Sequence, residues 1–131
     1  MVKKIFFLLL VALVPATMVL AQQSGAQLTV TSSTHDFGNI KQGVPAVYDF
    51  EVKNTGNQPL IIQDVKPSCG CTTPEWPKTP ILPGKTAKIK VSYDAASAGP
   101  FNKSIFVKSN AANVEKGDRY ELRIKGTVKA S

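Results

Sequence analysis

Apolar and polar positions alternate with a period of two in three stretches of this chain. Tyr48, Phe50 and Val52 alternate with Asp49, Glu51 and Lys53. Ala87, Ile89, Val91 and Tyr93 alternate with Lys88, Lys90, Ser92 and Asp94. Tyr120, Leu122, Ile124, Gly126 and Val128 alternate with Glu121, Arg123, Lys125, Thr127 and Lys129. Successive side chains of an extended strand point to opposite faces, so each stretch predicts a strand with one packed and one wet face, as in antiparallel sheets. Shorter signals add strands at Leu28 and Val30, at the buried run Leu60-Ile61-Ile62 with Val65 reached past a bulge, and from Phe101 through Ile105 and Val107 with Phe106 turned outward. Turn chemistry falls between them. Asn54-Thr55-Gly56-Asn57 carries the residues usual in hairpins, and Pro83-Gly84 suits the central positions of a type II turn. Ala98-Gly99-Pro100 and Lys116-Gly117-Asp118 punctuate the later strands. About seven strands in roughly 100 residues predict one all-β domain, an antiparallel β-sandwich of immunoglobulin type, over residues 28–129.

The pattern changes at the N-terminus. Lys3 and Lys4 precede an unbroken apolar run from Ile5 to Val14, too short to span a bilayer, and Pro15 ends it. Val19-Leu20-Ala21 then offers the small or apolar residues that a signal peptidase accepts. Residues 1–21 are therefore expected to be a cleavable signal peptide, with the cut between Ala21 and Gln22 and residues 22–27 as a flexible lead. The short lysine-containing start has a bacterial character. The expected destination is the periplasm or the exterior, with no integral membrane segment after cleavage.

Composition narrows the function classes. The chain has 131 residues, 43% of them hydrophobic and 19% charged, which suits a globular domain and excludes a wholly disordered one. Its formal net charge of +7 falls to +5 once Lys3 and Lys4 leave with the leader. The basic rows along strands 85–93 and 119–129 read as solvated faces that could also meet anionic lipid or polysaccharide. Nucleic acid is not an expected partner, because aromatic residues do not interleave with these charges. One histidine and two cysteines supply no multi-histidine or four-cysteine metal set. No cofactor is expected.

The order of short motifs resembles one family. His35-Asp36-Phe37-Gly38, Asn54-Thr55-Gly56, Pro59-Leu60, Cys69-Gly70-Cys71-Thr72, Leu82-Pro83-Gly84 and Ile89-x-Val91-x-Tyr93 look like the secreted bacterial domain of unknown function 1573. That family is similar in pattern to the immunoglobulin-like domains of Hydin type and, more distantly, to the major-sperm-protein and PapD sandwiches. The resemblance implies a sandwich fold and export, and no catalytic activity; related sandwiches mostly bind other proteins.

Cys69-Gly70-Cys71 carries the most chemical potential. In an exported protein a disulfide is the first expectation. Closing a loop of about three residues yields only roughly 1.6 kcal/mol in the chain-entropy picture. The pair is thus a local clip, a redox couple, or two thiolates for a soft ion such as Cu(I). His35-Asp36-Phe37-Gly38 has kinase letters without kinase context: Phe37 is expected in the core, Gly38 at a turn or bulge, and Asp36 on a backbone donor. Trp76, between Glu75 and Pro77, is either a cap on an open end of the sandwich or an exposed anchor for a partner. Pro74 and Pro77 predict a stiff connection around it rather than a central strand. Asn102-Lys103-Ser104 matches a glycosylation sequon by chance. No acid, base and nucleophile converge, so the expected role is non-enzymatic: binding or scaffolding of unknown envelope proteins, with strand addition at an open sheet edge as its means. The alternative is thiol redox or copper handling at Cys69 and Cys71.

Overall fold

The computed structural model describes residues 25–114 and 119–131. The leader, its junction at Ala21 and Gln22, and the turn at 116–118 lie outside the described residues. The described residues form eight strands: β1 (Leu28–Val30), β2 (Thr34–Lys41), β3 (Ala46–Asn54), β4 (Ile62–Pro67), β5 (Thr72–Glu75), β6 (Thr86–Tyr93), β7 (Gly99–Ser109) and β8 (Tyr120–Lys129). They make two four-stranded sheets, ordered β1-β3-β6-β5 and β2-β8-β7-β4, packed face to face as an immunoglobulin-like sandwich.

The alternating stretches bury the side chains that the pattern assigns to the core. Phe50 and Val52 on β3, Ile89 and Val91 on β6, Ile105 and Val107 on β7, and Leu122, Ile124 and Val128 on β8 are all buried. Phe101 stacks on Tyr93 with ring centroids 4.1 Å apart and so ties the second sheet to the first. Burial and the neighbouring Asp94 carboxylate both push the Tyr93 phenol above its ordinary range.

Two strands escape the alternation rule, and each has a local reason. In β2 the register slips between Asp36 and Asn39, at Gly38, which takes a φ of 66°. His35 and Phe37 pack inward before this bulge and Ile40 packs inward after it, so the period is broken mid-strand. β5 is only four residues long and contains Pro74. It is an edge strand, so proline is tolerated where a central strand would reject it.

The pairing of β2 with β8 is parallel, an exception in an otherwise antiparallel sandwich. The segment Asn54–Asn57 is not a hairpin either. It leaves β3 in one sheet for β4 in the other. Ile61, at 43% exposure, departs from the expected buried run, whereas Leu60 and Ile62 are buried. Within the expected lead, Ala26 is buried, and its carbonyl accepts the Ala112 N–H at 2.7 Å. The expected bulge beside Val65 lies between Ile62 and Asp64. Pro83-Gly84 forms its turn with Gly84 at φ 77° and the Lys85 N–H on the Leu82 carbonyl at 3.0 Å.

Candidate functional site

Cys69 and Cys71 are bridged, with Cα atoms 5.3 Å apart. Their turn carries the chain from β4 at the edge of one sheet to β5 at the edge of the other. The Thr72 hydroxyl is 3.8 Å from each sulfur, and Thr72 is buried. Both sulfurs are consumed by the bond, which makes the pair a local clip across the corner of the sandwich. The clip closes so short a loop that its removal has a bounded effect. Reduction, or Cys69→Ser with Cys71→Ser, is expected to cost about 1.6 kcal/mol. The β5–β6 ladder, registered from Thr72 on Tyr93 to Glu75 on Lys90, is expected to persist. Thermal unfolding monitored by circular dichroism, with and without reductant, checks this. Loss of the folded baseline at ambient temperature would contradict it.

Trp76 follows β5, is half-buried and packs against the core. The Lys78 ammonium lies 3.2 Å from the centroid of its ring, and its indole N–H is buried without a hydrogen-bond partner. His35 is sandwiched, stacked on Tyr48 at 3.6 Å and edge-on to Phe37 at 4.7 Å. Asp36 accepts the Gly38 N–H at 2.8 Å, which stabilises the bulge. These contacts give His35, Asp36 and Phe37 structural work. Among the described residues no cluster of three or more histidine, cysteine or carboxylate side chains exists that could hold a metal.

The sheet edges bear directly on strand addition. At β1 the Asn113 amide occupies both backbone groups of Leu28, accepting its N–H and donating to its carbonyl, each at 2.9 Å. On β5 the Asp94 N–H bonds to the Cys71 carbonyl, and by alternation Pro74 faces the outer edge, where it has no N–H to offer. β4 is interrupted by its bulge and by Pro67, and β2 by the bulge at Gly38. These edges are broken within a few residues, the usual protection against edge-to-edge pairing, whereas β1 covers β3 only at Val52–Asn54 and leaves Ala46–Glu51 without a strand neighbour on that side. For the expected strand addition, the uncovered side of β3 at Ala46–Glu51 is an uninterrupted template among the described residues.

What remains open is one end of the sandwich. Leu60 and Ile81 form an isolated antiparallel bridge with both side chains buried. Alternation then turns Pro59, Ile61, Pro80 and Leu82 to the opposite, outer side. All four are exposed, Leu82 at 55%. The backbone below them is fixed by Asn110, whose amide accepts the Ile61 N–H at 2.7 Å and donates to the Pro59 carbonyl at 3.0 Å. A rigid, exposed, mostly aliphatic surface of this kind is a place where proteins meet partners. The residue order does not show it, because it depends on a bridge between the Leu60-Ile61-Ile62 run, expected to be wholly buried, and a distant segment.

One polar cluster on the outer face of β7 and β8 is locally satisfied. Glu121 accepts the Ser104 hydroxyl and an Arg123 guanidinium N–H, both at 2.6 Å, and Arg123 also donates to Asn102 at 2.9 Å. The Ser104 hydrogen bond and the Arg123 charge hold the Glu121 carboxyl below the ordinary glutamate range. A lowered folded value means that this network contributes above the unfolded carboxyl's range and is lost as pH falls through the folded value. Carboxyl NMR titration is expected to find Glu121 titrating below an ordinary glutamate and moving upward in Ser104→Ala. No upward movement in that variant would contradict the assignment.

Comparison with known proteins places the fold. The family described as protein of unknown function (DUF1573) matches residues 28–128. A protein of unknown function from Porphyromonas gingivalis W83 is similar in structure, with a TM-score of 0.69 and 18% identity over 86% of this chain and 51% of that one. The chain thus spans about half the length of that relative. The ASH/PapD-like domain of human CEP192 is similar at a TM-score of 0.61 and 9% identity, covering 80% of this chain and 87% of that one. The YadV chaperone is similar at 0.52 and 18% identity, covering 80% and 52%. At these identities the likeness concerns the fold alone. No curated protein matches the sequence.

Proposed function

We propose a protein-binding or scaffolding role in the bacterial cell envelope for this chain, which belongs to the family of proteins of unknown function DUF1573. It is a non-catalytic immunoglobulin-like module exported by its N-terminal leader. The observation that carries the binding role is the exposed aliphatic end formed by Pro59, Ile61, Pro80 and Leu82 on the outer side of the Leu60–Ile81 bridge. A buried core needs none of these side chains, and a solvated loop would not hold them rigidly. The partner meets this end by side-chain contact; strand addition would instead use the uncovered stretch of β3, Ala46–Glu51. The redox and copper alternative would need the Cys69–Cys71 bond opened first, since a disulfide leaves no thiolate to ligate a metal.

The test is cross-linking and affinity capture from envelope extract with the secreted chain as bait. A specific partner is expected, and its recovery is expected to fall about tenfold in Leu82→Asp with Ile61→Asp, while circular dichroism stays unchanged. No partner, or a partner retained equally by the double variant, would overturn the assignment of this end. Intact mass of the exported protein tests the leader separately, with Gln22 expected at the N-terminus.

A further inference from the structure

The outer faces of the two sheets differ in charge, and the difference has a location. On the β1-β3-β6-β5 face, acid and base are paired across strands: Asp49 registers with Lys90, Glu51 with Lys88 and Glu75 with Lys90. On the β2-β8-β7-β4 face, one row holds Asp36, Lys125 and Asn102, and the next holds Asn39, Thr127 and Pro100. The row after that sets Lys41 directly beside Lys129. Like charges directly opposite one another are unfavourable in a sheet, and neither lysine makes a salt bridge among the described residues.

Between the first two rows lies a groove of about 500 Å³, within the size range of small-molecule sites. Rows two residues apart on one face are separated by about 6.8 Å, and the Gly38 bulge opens the β2 side. Beneath the groove, on the inner face, Gly126 allows close packing: a Cβ there would lie 2.8 Å from the Gly38 carbonyl oxygen and 3.0 Å from the Phe101 ring. The walls are amide, hydroxyl, carboxylate and ammonium. The side chains of Asn39 and Thr127 make no hydrogen bond to other described residues, and the Asn102 side chain uses only its oxygen, on Arg123.

We infer that this groove binds an acidic saccharide, with Asn39, Asn102 and Thr127 on the sugar hydroxyls and Lys125, Lys41 and Lys129 on its carboxylate or phosphate. The chemistry selects among anions. A peptide would need an apolar anchoring pocket, and Pro100 is the one apolar side chain on these rows. A bilayer would need apolar or aromatic side chains to insert, and a single strand of nucleic acid would need aromatic stacking. A hydroxylated anion uses the amides, the hydroxyl and the lysines, and a sugar hydroxyl can donate to Asp36, whose Oδ1 also accepts the Gly38 N–H. The groove is on the sheet face, away from the aliphatic end, so this inference stands or falls independently of the protein partner.

The experiment is NMR titration and calorimetry of the whole mature protein with oligogalacturonate as the acidic saccharide. Neutral malto-oligosaccharide, poly-glutamate, phosphatidylglycerol vesicles and inorganic phosphate are the comparison probes. Oligogalacturonate is expected to shift Asn39, Asn102 and Thr127. Its Kd is expected to rise about tenfold in Lys125→Gln with Lys129→Gln, and several-fold in Asn39→Ala. The neutral sugar is expected to be inert. Binding of poly-glutamate or vesicles as tightly as oligogalacturonate, or affinity unchanged in Asn39→Ala and Thr127→Val, would reduce the face to unselective charge and overturn the inference. So would no oligogalacturonate binding at low salt. The variants lie on the exposed face, and their unfolding curves are expected to overlay the parent.

Discussion

Asn54→Ala is expected to destabilise the sandwich by about 3–4 kcal/mol, among the largest effects available to a single polar residue in this chain. Asn54 is fully buried at the end of β3. Its amide donates to the carbonyls of Gln58 at 2.7 Å and Ile81 at 2.8 Å. Its oxygen accepts the N–H groups of Gly56 at 3.0 Å and Gln27 at 3.3 Å. One side chain therefore holds four segments: the start of β1, the crossover after β3, the Leu60–Ile81 bridge and its own strand. Alanine would strand the backbone groups where water reaches them poorly. Asn54→Asp is the informative control, since it keeps the two acceptor contacts but cannot donate to Gln58 and Ile81. It is expected to be destabilised as well, and more severely at neutral pH, where the aspartate would be ionised against two carbonyls. Chemical denaturation at fixed pH measures both. A loss below about 1 kcal/mol in Asn54→Ala would mean that water replaces the amide without penalty.

Gly56→Ala is expected to cost about 3 kcal/mol, at the upper end for overpacking. A Cβ at Gly56 would collide with the Gly25 carbonyl oxygen, and it would lie 2.6 Å from the Gln27 nitrogen and 2.9 Å from the Ala26 carbonyl carbon. These are backbone atoms, which cannot rotate aside as a side chain would. The substitution must push the Gly25–Gln27 segment off the crossover, breaking the Asn57 N–H contact to the Gly25 carbonyl at 3.0 Å and the Thr55 N–H contact to the Gln27 carbonyl at 3.1 Å. Asn54 and Gly56 act on the same latch, so the double variant is expected to lose less than the sum of the two single losses. Additive losses in a double-mutant cycle would show that the two residues work separately.

That latch marks the boundary of what could be read from the sequence. Strands β3, β6 and β8 were legible because each has one wet and one dry face, which writes the sheet into the residue order. The Pro83-Gly84 turn was legible because its geometry is chosen by two adjacent residues. Asn54-Thr55-Gly56-Asn57 carries the same kind of local signal, yet its residues serve a crossing between sheets. Asn54 is retained for its buried amide and Gly56 for the close approach of a distant segment. Neither reason is local, so neither shows in a window of four residues. β2 was hidden by a bulge that reverses the phase of its side chains, and β5 by proline at an edge. Among the candidate site residues, the cysteine pair was visible as spacing. The aliphatic end and the polar groove were not visible, because each is assembled by register between strands far apart in the chain.

The parallel seating of β2 against β8 also sets the order in which the molecule becomes whole. β2, the first strand of that sheet in chain order, borrows its backbone partners from β8, the last strand of the sandwich. A growing polypeptide can assemble β3 with β6, but β2 must wait, its ladder unsatisfied, until the carboxyl-terminal segment arrives. Loss of β8 would thus leave β2 without its ladder partner while β7 and β4 stay paired, so an exposed ladder of the product lies on a strand made early.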